Sequence, residues 1–142
     1  MSDQNAIRIV VDTNIWISFL IGRSFDSLVN AIKKKNVEVY FSQELHDELF
    51  NVMTRPKFNS QISEVKIAEI REIIKNTVTS IKPTCIITDC RDTKDNFLLE
   101  LAVTAHADYL VTGDADLLAL NPYQGLKIIK AQELEKILQT MG

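Results

Sequence analysis

The chain has 142 residues, of which 46% are apolar and 25% are charged. This is the composition of an ordinary globular protein, and the length predicts one domain over residues 1–142, which excludes collagenous, coiled-coil and low-complexity chains. Sixteen Lys and Arg against nineteen Asp and Glu give a net charge of −3, so the strong basic surplus of many nucleic-acid-binding proteins is absent.

Strand and helix patterns alternate along the first half of the chain. Short β-branched runs are typical of strands buried on both faces, and apolar residues at a 3.6-residue period are typical of amphipathic helices. Ser42 is a suitable N-cap, and Pro56 and Pro83 are expected to end helices. The predicted elements are a strand at 7–11, a helix at 25–36, a strand at 37–41, a helix from 42 to about 55, and a longer helix at 62–81.

The second half of the chain continues this alternation. Its predicted elements are a short strand at 85–87, a helix at 94–105, a strand at 108–112, a helical turn at 117–118, a strand at 127–129 and a helix at 131–141. Alternating strands and helices favour a mainly parallel twisted sheet with helices on both faces. The sequence therefore predicts an α/β protein with three layers, α/β/α.

Cysteine spacing and hydropathy bear on the compartment. Cys85 and Cys90 match neither a redox pair nor a zinc site, and so predict reduced thiols. The most apolar run, at 15–21, is far shorter than the roughly 18 residues that a membrane span needs. Its aromatic residues, Trp16 and Phe19, are expected in the core or in a dimer surface. The first residues lack the order of a signal peptide, so we expect a cytoplasmic protein with no membrane segment.

Acidic residues come after two of the predicted strands. Asp12 comes after the first strand, and Asp114 and Asp116 come after the strand at 108–112. Because the carboxyl ends of parallel strands meet at one edge of a sheet, these side chains should lie close together. Glu48 and Asp95 lie on helices that begin near the same edge. Clustered carboxylates repel one another unless a cation neutralises them, and Mg²⁺ or Mn²⁺ prefers such oxygen ligands, so the pattern predicts a divalent metal site.

Several of these acids also have an ordinary structural explanation. Asp92 and Asp95 suit a helix N-terminus, with Asp92 the expected cap, and Asp114 suits a turn after Gly113. Asp12 is harder to explain in this way, because a charge directly after a buried strand is costly without a partner. Their joint occurrence favours the metal site.

Four segments resemble, in order and spacing, the successive motifs of PIN-domain ribonucleases. They lie at 10–14, 42–49, 91–98 and 109–118. The resemblance extends over nearly the whole chain and is closest to stand-alone bacterial and archaeal PIN proteins, among them the VapC-like toxins of toxin–antitoxin pairs. It implies a PIN-like domain that hydrolyses RNA phosphodiester bonds with Mg²⁺ or Mn²⁺. It also implies RNA as substrate, an antitoxin protein as partner if the chain is a toxin, and a homo-oligomer, either a dimer or a tetramer.

The resemblance carries over to individual acids. It makes Asp12, Glu48, Asp95 and Asp114 the catalytic and metal-binding residues, and it adds Asp116 as a fifth metal ligand. Setting these five acids aside leaves 16 basic against 14 acidic residues. The net negative charge therefore does not exclude RNA as a substrate.

Polar and basic residues near the motifs have further expected roles. Asn14 and Thr112 occupy positions at which such domains place polar residues that orient the acids through hydrogen bonds. Arg23, Arg55 and Lys57 are candidates for contacts with RNA phosphates.

Two other functions share part of this pattern. Phosphatases of the haloacid dehalogenase type also place an acid after the first strand, but they need a second Asp two residues later, where this chain has Asn14. A non-catalytic PIN-like module that binds RNA or a protein is the other alternative, and the complete set of acids argues against it.

Overall fold

A five-stranded parallel sheet lies at the centre of the computed structural model, which describes residues 6–22 and 24–141. The strand order is β3-β2-β1-β4-β5, so β1 lies in the middle and pairs with β2 on one side and β4 on the other. The α/β/α fold expected from the sequence is confirmed. The strands are β1 (Ile7–Val11), β2 (Val37–Phe41), β3 (Thr79–Ser80), β4 (Tyr109–Val111) and β5 (Lys127–Ile129).

Helices connect the strands and flank the sheet. The side-chain oxygen of Ser42 accepts a hydrogen bond from the Leu45 backbone N–H at 3.2 Å, which confirms Ser42 as an N-cap. Two short 3₁₀ turns, Pro56–Phe58 and Thr93–Asp95, follow α3 and precede α5. The helices are α1 (Thr13–Ile21), α2 (Ser24–Lys33), α3 (Gln43–Met53), α4 (Glu64–Thr77), α5 (Asn96–Thr104), α6 (Ala115–Leu118) and α7 (Ala131–Met141).

The core is continuous across the sheet and its helices. Ile9, Val10 and Val11 of the central strand are fully buried, as expected for a strand covered on both faces. The Trp16 ring is 1% exposed and packs against Phe41, with ring centroids 5.5 Å apart. Trp16 and Phe19 therefore belong to the core.

Helix α1 was absent from the sequence prediction. Most of its residues are buried, including Ile17 and Leu20, so apolar side chains occur on nearly every side of the helix. A helix that is apolar all round shows no amphipathic period, which is why the pattern gave no signal.

The strand predicted at 85–87 is wrong. The third strand is instead Thr79–Ser80, which pairs with Tyr40 and Phe41 of β2. Helix α4 consequently ends at Thr77, four residues before the predicted end. Residues 85–87 form no regular element, and Ile86 is 90% exposed.

No single helix within residues 6–22 and 24–141 is both long enough and apolar enough to cross a membrane. The consecutive helices Thr13–Ile21 and Phe25–Lys33 reach the required length and composition only together, and they are bent by 103° relative to each other.

Candidate metal centre

Asp12 lies at the carboxyl end of the central strand, immediately before α1. Its backbone N–H donates to the Val111 carbonyl at 2.9 Å, which continues the pairing of β1 with β4. The side chain is only 8% exposed, and burial raises its pKa. The Thr112 hydroxyl and the backbone N–H groups of Asn14 and Thr13 offset part of this rise. A cation nearby would therefore stabilise the ionised form of Asp12.

Thr112 connects Asp12 to Asp114. The fully buried Thr112 hydroxyl donates to Asp12 Oδ2 at 2.7 Å and accepts from the Asp114 backbone N–H at 3.0 Å. Asp114 Oδ1 in turn caps α6, since it accepts from the backbone N–H groups of Asp116 at 2.8 Å and Leu117 at 3.3 Å. One hydroxyl thus connects the two strand ends.

Three carboxylates converge beside this pair of strand ends. One oxygen from each of Asp92, Asp95 and Asp114 lies within 4.8 Å of the other two. Burial and the close approach of Asp114 raise the pKa of Asp95 to about 7. Asp95 Oδ2 is buried, and no hydrogen-bond donor reaches it within the described part of the chain. The protein groups around Asp95 therefore do not fully neutralise the negative charge of its ionised carboxylate.

The spacing of the three acids fits a shared cation. Opposite oxygen ligands of one Mg²⁺ lie about 4 Å apart and those of one Ca²⁺ about 5 Å apart, because the metal–oxygen distances are about 2.1 and 2.4 Å. The three oxygens lie within 4.8 Å of one another, which is close enough for one cation to lie between them. The donor set consists only of carboxylates, which suits a hard divalent ion such as Mg²⁺ or Mn²⁺.

Glu48 lies outside this group of three, on the side of Asp12. It is an exposed residue of α3, yet burial of its carboxylate and the nearby charge of Asp12 raise its pKa. The Thr13 hydroxyl and the positive charge of Arg55 act in the opposite direction. Glu48 therefore lies close to Asp12, Thr13 and Arg55.

Asp116 and Asn14 lie at the edges of the site. Asp116 is in the first turn of α6, and it is not one of the three converging acids. The pKa of Cys90 is raised by burial and, to a smaller extent, by the charges of Asp95, Asp114 and Asp116. Asn14 is exposed, and the group that acts on Asp12 is its backbone N–H.

The basic residues predicted to contact RNA differ in their placement. Arg55 follows α3 and is near enough to Glu48 to lower its pKa, so it lies beside the acids. Lys57 extends over the Phe58 ring, with its Nζ 5.0 Å from the ring centroid. Arg23 lies outside the described residues.

Asp92 has the capping role expected of it, and it also joins the acidic group. Its Oδ1 accepts a hydrogen bond from the Lys94 backbone N–H at 3.2 Å, at the start of the turn Thr93–Asp95. The buried Asn96 side chain accepts from the Cys90 backbone N–H at 2.9 Å and closes the loop that carries Asp92 and Asp95. The three-residue spacing of the two acids in one turn was the available signal for this convergence.

Changing Asp92 to Asn separates the two roles of this side chain. Asn is as good an N-cap as Asp and removes one charge that faces Asp95, so the melting temperature of the metal-free protein should equal that of the wild type or exceed it by about 1–2 °C. Loss of one carboxylate should lower Mn²⁺ affinity by about tenfold, which isothermal titration calorimetry measures. An unchanged Mn²⁺ affinity would show that Asp92 is only a cap.

The chain is similar to several known proteins. Protein MJ1680 of Methanocaldococcus jannaschii, which is described as uncharacterised, is 28% identical over 117 residues, covering 80% of this chain and 75% of its own. The crystal structure of PAE2754 from Pyrobaculum aerophilum matches with a TM-score of 0.60 and 16% identity, covering 99% of this chain and 96% of that one. The structure of VapBC2 from Rickettsia felis, bound to a DNA fragment from their promoter, matches with a TM-score of 0.56 and 17% identity, covering 87% and 98%.

The two solved structures establish the likeness in fold. The sequence model of the PIN domain matches residues 8–116, which include every acid of the site described above. The chain belongs to the PIN domain family.

Proposed function

We propose that this chain is a metal-dependent endoribonuclease that hydrolyses RNA phosphodiester bonds at its acidic centre, in the cytoplasm. PIN domains are generally nucleases, and the match to the family includes all five predicted acids. The observation that carries the proposal is the convergence of Asp92, Asp95 and Asp114 at the carboxyl edge of the sheet, next to the buried Asp12. Such a concentration of negative charge repels a phosphodiester unless a cation is bound first.

Mg²⁺ or Mn²⁺ would be held by Asp95 and Asp114, with Asp12 and Asp92 beside them, Asp116 at the edge, and Glu48 binding the ion through a water on the side of Asp12. A bound divalent ion supplies positive charge for the scissile phosphate and lowers the pKa of the attacking water. The hydrogen bonds of Thr112 would hold Asp12 and Asp114 in position to bind the ion.

The flank of the site that contains Glu48 and Arg55 would contact the reacting RNA. Glu48 is exposed and carries a raised pKa, so its carboxylate can orient the attacking water and accept a proton from it. Arg55 lies close to it and can bind a phosphate oxygen. Lys57 lies two residues after Arg55, in the turn Pro56–Phe58, and would extend this basic flank. Arg23 remains a predicted phosphate contact.

The partner proposed for this chain is an antitoxin protein. The likeness in fold to VapBC2 supports this proposal, because VapC-like toxins belong to toxin–antitoxin pairs. A homo-oligomer stays a prediction from the resemblance.

The test is incubation of the pure protein with labelled single-stranded and hairpin RNA in Mn²⁺, in Mg²⁺ and in EDTA. We expect cleavage within the strand in the presence of metal and none in EDTA. Expression in a bacterial host extends the test, since a toxin should arrest growth. Binding of RNA without cleavage would identify a non-catalytic module, and release of phosphate from small monoesters would identify a phosphatase; either result contradicts the proposal.

A further inference from the structure

Thr13 carries a buried hydroxyl that the fold does not use. It is the first residue of α1, it is 2% exposed, and it follows Asp12 directly. Within residues 6–22 and 24–141, its Oγ1 has no hydrogen-bond partner. Buried hydroxyl groups almost always have a hydrogen-bond partner, so this one requires an explanation.

Helix formation does not explain the hydroxyl. The N-cap position of α1 belongs to Asp12, so the Thr13 side chain is not needed to cap the first turn. Valine has nearly the same shape and would occupy this buried site without a polar group to desolvate. A buried hydroxyl without a partner destabilises the metal-free protein. We therefore expect it to gain a hydrogen-bond partner when the protein is in its active state.

The partner within reach is Glu48. Helix α1 packs against α3, which carries Glu48, and the Thr13 hydroxyl lowers the pKa of the Glu48 carboxylate. The hydroxyl therefore lies near that carboxylate without a hydrogen bond of regular geometry between them. Glu48 is exposed and has three side-chain torsions, so a fixed donor beside it would remove much of its conformational freedom.

We propose that Thr13 is a positioning residue, whose hydroxyl donates a hydrogen bond to the Glu48 carboxylate once the acids hold a divalent cation. This inference rests on the proposed function, because it gives Glu48 a single orientation for its work at the metal centre. Thr13 acts through Glu48 and does not itself contact RNA or metal.

Two substitutions of Thr13 test this role. Thr13→Val should raise the melting temperature of the metal-free protein by about 2–4 °C, because the unpaired hydroxyl is removed without loss of volume. The same variant should lower Mn²⁺ affinity and kcat by about tenfold or more, with KM for RNA little changed. Thr13→Ser keeps the donor and should restore most of both values. Titration calorimetry, thermal melts and cleavage kinetics measure these quantities.

Thr77→Val is the matched control. Thr77 is also a helical threonine, but its hydroxyl donates to the Ile73 carbonyl at 2.7 Å, on α4, and no acid of the site lies on that helix. This variant should lose thermal stability and keep the Mn²⁺ affinity and kcat of the wild type. Opposite effects of the same chemical change at the two positions would support the assigned role.

The possible failures are distinct. Wild-type Mn²⁺ affinity and kcat in Thr13→Val would overturn the role of Thr13 alone, and so would a Thr13→Ser variant as impaired as Thr13→Val. If the wild type binds Mn²⁺ but cleaves no RNA, the proposed function fails, and weaker Mn²⁺ binding by Thr13→Val still supports the positioning role. If the wild type does not bind Mn²⁺, both proposals fall.

Discussion

Replacing Asp12 by Asn should abolish metal-dependent RNA cleavage and leave the metal-free protein at least as stable as the wild type. Asn keeps an oxygen that accepts from the Thr112 hydroxyl, so the bond at 2.7 Å can persist. It removes the negative charge at the centre of the site, where a divalent ion would be held. We expect kcat/KM to fall by about 10³-fold, which corresponds to about 4 kcal/mol of transition-state stabilisation.

Asp12→Asn should raise the thermal stability of the metal-free protein, although it lowers the cleavage activity. Asp12 is 8% exposed, and burial raises its pKa, so the folded metal-free protein disfavours its charge. A neutral side chain of the same shape should therefore raise the melting temperature in EDTA by about 2–4 °C, as thermal melts can measure.

Asp47→Asn provides the matched control for Asp12→Asn. Asp47 lies next to Glu48 on α3, but its carboxylate is exposed and accepts from Gln43 Nε2 at 2.8 Å. Cleavage should continue at the wild-type rate in this variant. Residual cleavage of similar size in wild type and Asp12→Asn would point to a contaminating nuclease and would contradict the assignment of the site.

Four of the five strands could be predicted from the sequence because each is a short β-branched or apolar run that is buried. Strand β3 could not, since it has only two residues, Thr79 and Ser80, and both are exposed. The apolar residues at 85–87 gave a false signal, because side-chain hydropathy does not distinguish a strand from an irregular segment that exposes Ile86.

The positions of some acids of the site could be predicted from the sequence more directly than that of Asp92. Asp12 and Asp114 were predictable because Asp12 directly follows β1 and Asp114 comes shortly after β4, and these two buried strands are neighbours in the sheet. Asp92 joins the site through the loop that the Asn96 side chain closes by accepting from the Cys90 backbone N–H, and the signal for it in the sequence was the three-residue spacing of Asp92 and Asp95. The burial of Thr13 was not predicted from the sequence, because Thr13 belongs to α1, which has no amphipathic period.

The stability of the metal-free protein should decline as the pH rises from about 4 to about 7. In the folded state the pKa of Asp95 is raised from 3.8 to about 7, and the pKa values of Asp12 and Glu48 are also raised. Within this window the folded protein binds more protons than the unfolded chain, so the free energy of unfolding falls with increasing pH. Urea unfolding in EDTA across this range measures the slope.

A divalent cation should reverse the decline, because it binds the deprotonated carboxylates and only the folded state assembles them. At a Mn²⁺ concentration of a hundred times Kd, the gain is about 2.7 kcal/mol, and it should be fully present only above about pH 7. Asp95→Asn should flatten the metal-free profile, since it removes the acid with the largest shift. Metal-free stability that rises between about pH 4 and 7, or a profile that Asp95→Asn leaves unchanged, would show that these carboxylates do not share one repulsive site. If stability follows this pH profile, the metal-free protein is less stable at neutral pH than at about pH 4. The carboxylates that would bind the cation thus also make full stability at neutral pH depend on that cation.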